Sequence, residues 1–247
     1  MDLGPQCEAT STSPAPRHPA LRILAACGLG LSVLVLSGSV AGLLLHGRME
    51  LRRQHPWLDG AANHLPILFF SVVLMLLVSR GRLRDYGFRR PGSFRPGWAL
   101  LIPVAASALA SGLEKSLHLG GMKFLQNYSL GQSVVLIWVL ASVAEETLTR
   151  GLIQGFLEPL RGRGLVWGRL RLSAPVLTSG LFFGAMHLMV RTMGVRWPMV
   201  WTIVGFAVVI GCTAGVFRER TGSLLPAILV HATANITGSL IDLLSGK

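Results

Sequence analysis

The segment Ser142-Val143-Ala144-Glu145-Glu146-Thr147-Leu148-Thr149-Arg150 is the most informative part of the sequence, because it places three ionisable side chains inside an apolar run from Val134 to Leu157. That run has the length and composition of a membrane-spanning helix. Each ionisable group costs roughly 2.5–3.5 kcal/mol at the centre of a bilayer. On a helix, Glu145 lies one turn from Thr149, and Glu146 lies one turn from Arg150. We therefore expect one polar stripe that faces protein or water and not lipid.

The composition of the whole chain indicates a polytopic membrane protein. Of its 247 residues, 51% are hydrophobic and 14% are charged, whereas soluble domains carry about 25% charge. A net charge of +12 would suit a nucleic-acid-binding protein, but the Lys and Arg residues occupy short loops between apolar runs. We therefore expect the lipid bilayer, and no nucleic acid, as a partner. The three cysteines form no C-x-x-C pair, which argues against a disulfide framework or a zinc knuckle.

The apolar runs predict an all-α fold, a transmembrane bundle of about seven helices over residues 21–247. Residues 1–20 are polar and rich in Pro, Ser and Thr, which predicts a disordered tail. The predicted spans cover residues 21–45, 65–78 (with a start near Ala61 or Ala62), 98–113, 134–157, 175–190, 197–217 and 223–244. Loops or connectors are predicted at 47–60, 80–95, 118–131 and 158–171, and a tight turn at 218–222.

The distribution of basic residues predicts the orientation of the bundle. With a cytoplasmic N-terminus, 14 of the Lys and Arg residues lie on the inner side and 8 on the outer side. Because positive residues concentrate in cytoplasmic loops, we expect the N-terminus inside.

Two other predicted spans carry strong polar groups. Phe183 and His187 share one face of the fifth span, and His231 and Asn235 share one face of the seventh. Each pair alone is weak evidence, since a single His in a span is usually a hydrogen-bonded packing residue and Asn commonly joins helices. Together with the two carboxylates, however, these groups exceed what packing requires.

This set of side chains suits the hydrolysis of a carbonyl group by water. Ionising two adjacent carboxylates in a low-dielectric site is energetically unfavourable. One of them therefore suits a general base or acid near neutral pH. One histidine can orient the water, and a second histidine with the Asn amide can donate to a developing oxyanion. The sequence also permits zinc, bound by Glu145, His187 and His231, although Glu146 and Asn235 would then have no role.

The motifs Glu145-Glu146-x-x-x-Arg150, Phe183-x-x-x-His187 and His231-x-x-x-Asn235, in this order, resemble the CPBP family. This is the CAAX-protease and bacteriocin-processing group, also called Abi or type II CAAX prenyl endopeptidase-like. The resemblance covers the C-terminal half of the chain, and every motif position is filled. The connector Asp85-Tyr86-Gly87-Phe88-Arg89-Arg90-Pro91 also looks like the segment that precedes the core in bacterial members.

The resemblance implies an intramembrane endopeptidase with a catalytic core at about 130–245, in a bacterial inner membrane. By similarity, Glu145 activates the attacking water and His187 shares it, while His231 and Asn235 stabilise the oxyanion. The supporting residues would be Glu146, Arg150 and Phe183, with Arg150 holding Glu146 or the helix end and Phe183 shaping the pocket. A glutamate mechanism without a cofactor is favoured, and zinc remains the alternative.

The expected substrate is a hydrophobic or lipidated peptide or protein at the membrane, cut in CAAX-type, C-terminal or precursor processing. The main alternative is a non-catalytic membrane regulator or bacteriocin-immunity protein of the same family, in which the polar cluster binds a partner. A transporter with a carboxylate proton relay is a third possibility. The sequence shows neither inverted repeats nor paired Gly/Pro-broken helices, which counts against a transporter.

Overall fold

The computed structural model describes residues 18–119, 128–168 and 170–244. Within these residues, seven helices are long and apolar enough to cross a membrane. They are α1 (Pro19–Leu45), α2 (Trp57–Ser79), α3 (Pro96–Ser116), α4 (Leu130–Phe156), α5 (Ala174–Met193), α6 (Trp197–Thr221) and α7 (Leu225–Leu244). The predicted all-α bundle is therefore confirmed, while most of the predicted tail at 1–20, and part of the loop at 118–131, lie outside the described residues.

Two predicted helix ends are wrong. Helix α2 begins at Trp57, several residues before the expected start near Ala61 or Ala62. The tight turn predicted at 218–222 is mostly helical, because α6 continues to Thr221 and only Gly222 adopts a left-handed conformation, with φ 68°. The arginine that suggested a turn, Arg218, is buried within the helix. Its NH1 group donates to Oε2 of Glu158 at 2.8 Å, so its charge is compensated from another segment.

Two predicted loops contain regular structure. A short helix, Met49–Gln54, lies in the first loop. The segment at 158–171 contains a 3₁₀ turn at Glu158–Leu160 and one strand of an antiparallel hairpin, β1 (Gly164–Trp167) paired with β2 (Leu170–Ser173). Gly164 has φ 150°, and a Cβ atom there would collide with the carbonyl oxygen of Leu172, so this position requires glycine.

Helix α4 is the centre of the bundle. It alternates between α-helical and π-helical turns, with π-helix at Ser133–Ala141 and Thr147–Ile153 on either side of the α-helical Ser142–Glu146. π-Helical turns are rare and occur frequently at functional sites. Its apolar residues Leu148 and Leu152 are fully buried and pack with residues of α1 and α2, including Val33 and Met75. The opposite side of the bundle is a second apolar cluster, where α3, α6 and α7 meet.

Small residues bring α5 and α6 into close contact. Gly180 and Gly184 are one turn apart on α5, and Gly211 and Gly215 are one turn apart on α6. A Cβ atom on Gly211 would lie 3.1 Å from Cα of Gly180, so the two backbones nearly touch. Such small-xxx-small pairs allow membrane helices to approach closely. The contact fixes the helix that carries Phe183 and His187 against the rest of the bundle.

The connector between α2 and α3 fixes the start of α7. The backbone carbonyl of Gly87 accepts from the amide of Leu224 at 3.0 Å, and the carbonyl of Arg89 accepts from the hydroxyl of Ser223 at 2.6 Å. In return, Nε of Arg89 donates to the carbonyl of Gly222 at 2.7 Å. These bonds join the connector to the turn between α6 and α7, two turns before the histidine of α7.

Replacing Gly211 with alanine is expected to destabilise the protein by about 1–3 kcal/mol, because the added methyl group meets backbone and cannot be relieved by a rotamer change. The Cβ atom would lie 2.7 Å from NH2 of Arg150 and 3.2 Å from the carbonyl oxygen of Gly180. Thermal unfolding in detergent micelles measures the change. The control is Gly205→Ala on the same helix, where a Cβ atom meets no atom within 4 Å. Equal unfolding temperatures for the two variants would contradict the close helix contact.

Candidate active site

Glu146 and Arg150 form a fully buried ion pair on α4. NH1 of Arg150 donates to Oε1 of Glu146 at 3.1 Å, and both side chains have 0% exposure. NH1 also donates to the hydroxyl of Thr149 at 2.5 Å, and the guanidinium carbon lies 4.7 Å from the centre of the Phe183 ring. A cation over an aromatic face is attracted by the ring quadrupole. Arg150 therefore joins Glu146 on α4 to Phe183 on α5.

His231 connects the two carboxylates. Its Nδ1 atom lies 3.0 Å from Oε1 of Glu146, and its Nε2 atom lies 3.9 Å from Oε2 of Glu145. Glu146 already accepts from Arg150 through the same oxygen. A carboxylate only accepts when ionised, so it favours a proton on Nδ1 of His231 and turns Nε2 toward Glu145.

The ring of Phe183 separates the two histidines of the motif. Its centre lies 4.8 Å from that of His187 and 5.1 Å from that of His231, both in edge-to-face arrangements. Nδ1 of His187 lies 2.7 Å from the backbone carbonyl of Phe183. A carbonyl only accepts, so Nδ1 donates and Nε2 of His187 remains available. Phe183, buried at 2% exposure, thus holds both imidazoles at fixed positions.

Glu145 lies where the three histidines of the site converge. Its side chain is 12% exposed, and it is within electrostatic range of His64, His187 and His231. Oε1 is hydrogen-bonded to His64 at 3.2 Å. Oε2 is buried and has no hydrogen-bond partner among the described residues. One oxygen of Glu145 is therefore held, while the other is directed at His231 across a gap wider than a hydrogen bond.

His64 is a residue of the site that the sequence motifs do not contain. Two predicted polar spans, the fifth and the seventh, were expected to supply the other strong intramembrane groups, but α2 also contributes one. The sequence analysis did not single out His64, because it lies near the predicted start of the second span and belongs to none of the three motifs. A histidine inside an apolar run was the only available signal, and by itself it indicates packing at least as often as function.

Asn235 contacts α4 but neither of the two carboxylates. Its Nδ2 atom donates to the carbonyl of Ile137 at 3.0 Å and to the hydroxyl of Ser142 at 3.2 Å. Both amide protons are therefore used to join α7 to α4. A role in binding the oxyanion requires Asn235 to release one of these two acceptors, and that role stays a prediction.

A zinc ion requires several donor side chains that converge on one point. In the part of the chain that the structure describes, no group of three or more His, Cys, Asp or Glu side chains is placed to share one metal ion. The three ligands considered from sequence are Glu145, His187 and His231. Structural and catalytic zinc sites bring their ligands within about 2.0–2.3 Å of one ion. The observed arrangement does not fit such a shell, and we derive no step through a metal.

The segment 127–237 matches the family model described as type II CAAX prenyl endopeptidase Rce1-like. The resemblance to the CAAX-protease family is confirmed. The match includes every residue of the three motifs, from Glu145 to Asn235, and leaves α1 to α3 outside. No curated protein and no solved structure matches the chain. The family description and the seven apolar helices support an integral membrane protein with peptidase chemistry.

Proposed function

We propose that the protein is an intramembrane endopeptidase that hydrolyses a peptide bond with water activated by Glu145. The observation that carries the proposal is that two neighbouring carboxylates differ in burial and in their hydrogen-bond and charge partners. Glu146 has 0% exposure and is compensated by the Arg150 cation and by His231. Glu145 is 12% exposed, has no arginine or lysine partner among the described residues, and keeps Oε2 without a hydrogen bond from them. A carboxylate that is partly exposed and keeps one oxygen free of hydrogen bonds in a low-dielectric site suits a general base.

The proposed reaction follows from the different environments of Glu145 and Glu146. Glu145 takes a proton from water as the hydroxyl group bonds to the carbonyl carbon of the substrate, and Nε2 of His187 orients that water. Nε2 of His231 faces the same region and, with a proton on both ring nitrogens, donates to the oxyanion that develops on the carbonyl oxygen. The C–N bond then breaks, and the proton held by Glu145 passes to the leaving amine. The products are a carboxylic acid and an amine, and the enzyme returns to its starting state.

The proposed substrate is a peptide or protein that is hydrophobic or lipidated near the cleavage site and reaches Glu145 from the bilayer. The catalytic groups all lie on helices long enough to span a membrane, which supports a membrane-associated substrate. We propose the bacterial cell membrane as its location, with a cytoplasmic N-terminus, on the charge distribution of the loops. CAAX-type processing and the processing of other C-terminal or precursor segments fit the same chemistry.

We expect purified protein in lipid nanodiscs to cleave at least one member of a peptide panel, and chelation to leave the rate unchanged. The panel contains an internally quenched peptide that ends in a farnesylated cysteine and three further residues, the same peptide without the lipid, and hydrophobic membrane-tail peptides. Each is assayed with and without excess EDTA and phenanthroline. Rates that fall with chelator and recover with zinc would place Glu145, His187 and His231 around a metal ion. Absence of cleavage across the panel would favour the non-catalytic regulator or immunity protein.

A further inference from the structure

His64 on α2 makes the only hydrogen bond to the carboxylate of Glu145 among the described residues. Its Nε2 atom lies 3.2 Å from Oε1 of Glu145, across 81 positions of sequence, and both side chains are 12% exposed. The contact therefore joins a helix outside the matched segment 127–237 to the proposed general base.

The orientation of the His64 ring is fixed from within its own helix. Nδ1 lies 2.8 Å from the backbone carbonyl of Gly60, one turn earlier on α2. Because a carbonyl oxygen only accepts, Nδ1 must carry a proton, and because the carboxylate of Glu145 also only accepts, the bond from Nε2 toward α4 requires a second ring proton. His187 uses the same arrangement with the carbonyl of Phe183. Two imidazoles are thus turned toward the site by the carbonyl group four residues before them.

The effect of His64 on Glu145 is to distinguish its two oxygens. Oε1 is held by the imidazole, and Oε2 is left buried, without a hydrogen bond from the described residues and 3.9 Å from Nε2 of His231. A free glutamate side chain has several rotamers, and holding one oxygen reduces the number that the site populates. A base that is held in the productive geometry needs no reorientation during the reaction.

We propose that His64 is a positioning residue that holds Oε1 of Glu145, so that Oε2 is presented to the attacking water. The proposal rests on the proposed function of Glu145 as a general base. It adds α2 to the functional core, which on sequence motifs alone consists of α4, α5 and α7. A purely structural role, in which His64 only joins α2 to α4, makes a different prediction, because it would affect stability and leave the rate per folded molecule unchanged.

The test compares two amides of different length at position 64. The amide nitrogen of glutamine reaches the place of Nε2 and can donate to Oε1 of Glu145, whereas that of asparagine reaches only the place of Nδ1, beside Gly60. We expect His64→Asn to lower kcat by about 10- to 100-fold with little change in KM, as for a misplaced catalytic group. We expect the kcat of His64→Gln to be at least about tenfold higher than that of His64→Asn. His46→Gln, in the loop after α1, is the matched control.

Stability decides between positioning and packing. Both variants keep a polar amide side chain at position 64, so we expect similar unfolding temperatures for them. A loss of activity in His64→Asn that tracks the loss of folded protein would overturn the proposal. Equal kcat values for the asparagine and glutamine variants would overturn it too, because only glutamine can restore the bond to Oε1.

A spectroscopic measurement tests the contact without any substrate. Protein labelled with ¹⁵N-histidine gives separate Nδ1 and Nε2 signals for His64, assigned by comparison with His64→Gln. We expect Glu145→Gln to shift the Nε2 signal and to leave the Nδ1 signal, which reports the bond to Gly60, nearly in place. An unchanged Nε2 signal would show that the two side chains do not touch. If no peptide is cleaved by the wild type, the proposed function fails, whereas this measurement still decides whether His64 holds Glu145.

Discussion

Glu145→Gln is expected to lower kcat by about 10²- to 10⁴-fold, which is the contribution of a positioned general base. Glutamine has the size of glutamate and can still contact Nε2 of His64, so the fold should be retained. It cannot take a proton from water, because its amide oxygen is far less basic than a carboxylate. The loss should appear in kcat and in kcat/KM equally, since the missing interaction is made in the transition state.

The control for this substitution is Glu50→Gln on the short helix Met49–Gln54. Glu50 is an exposed carboxylate, with Gln54 at 3.1 Å and Arg53 at 4.0 Å, so its replacement should leave kcat and KM unchanged. The steady-state rates in nanodiscs, normalised to folded protein, give the comparison. A Glu145→Gln protein that folds and keeps its full cellular effect would instead support the non-catalytic regulator.

Helical periodicity was sufficient to predict the ion pair on α4. The spacing between Glu146 and Arg150 placed them on one face, and the structure joins them at 3.1 Å. The same rule predicted that Phe183 shares a face with His187, and the two rings are in contact. Such predictions succeed because they depend on geometry within a single helix. The predicted roles of these residues in catalysis are a separate matter, and the experiments above test them.

Contacts between distant helices could not be predicted in the same way. The bond between His64 and Glu145 depends on how α2 packs against α4, and no local pattern contains that information. The burial of Arg218 in α6 has the same origin, because its partner Glu158 lies on another segment. Charged residues usually indicate the end of a membrane helix, and here that rule failed because a distant carboxylate compensates the charge.

The π-helical turns of α4 were missed for a different reason. They flank the α-helical segment Ser142–Glu146, which carries both carboxylates. The difference between α- and π-helix is one of backbone hydrogen-bond register, which neither the apolar residues nor the polar stripe of α4 specifies. A change of register alters which side chains lie above one another. In this chain it occurs on both sides of the segment that carries Glu145 and Glu146.

Arg150→Met is expected to destabilise the protein by about 3–5 kcal/mol, because it leaves the charge of Glu146 buried without its cation. Both groups have 0% exposure, so water cannot replace the lost partner. The Phe183 ring would also lose the guanidinium that lies 4.7 Å from its centre. Reversible unfolding in mixed micelles, with the folded fraction followed by circular dichroism, measures the effect. The control is Arg53→Met, an exposed arginine whose carboxylate partner is 4.0 Å away, which should leave the unfolding midpoint in place.

The double variant Glu146→Gln/Arg150→Met separates charge from packing. It removes both charges, so most of the stability lost in Arg150→Met should return, as expected when a buried pair is replaced rather than broken. The amide that replaces the carboxylate of Glu146 still offers an oxygen to Nδ1 of His231, so the imidazole keeps its acceptor but loses the neighbouring negative charge. If stability returns and kcat stays low, Glu146 acts on the reaction through His231. If the double variant is as unstable as Arg150→Met, the arginine stabilises the bundle through its contact with Phe183 and not through its charge.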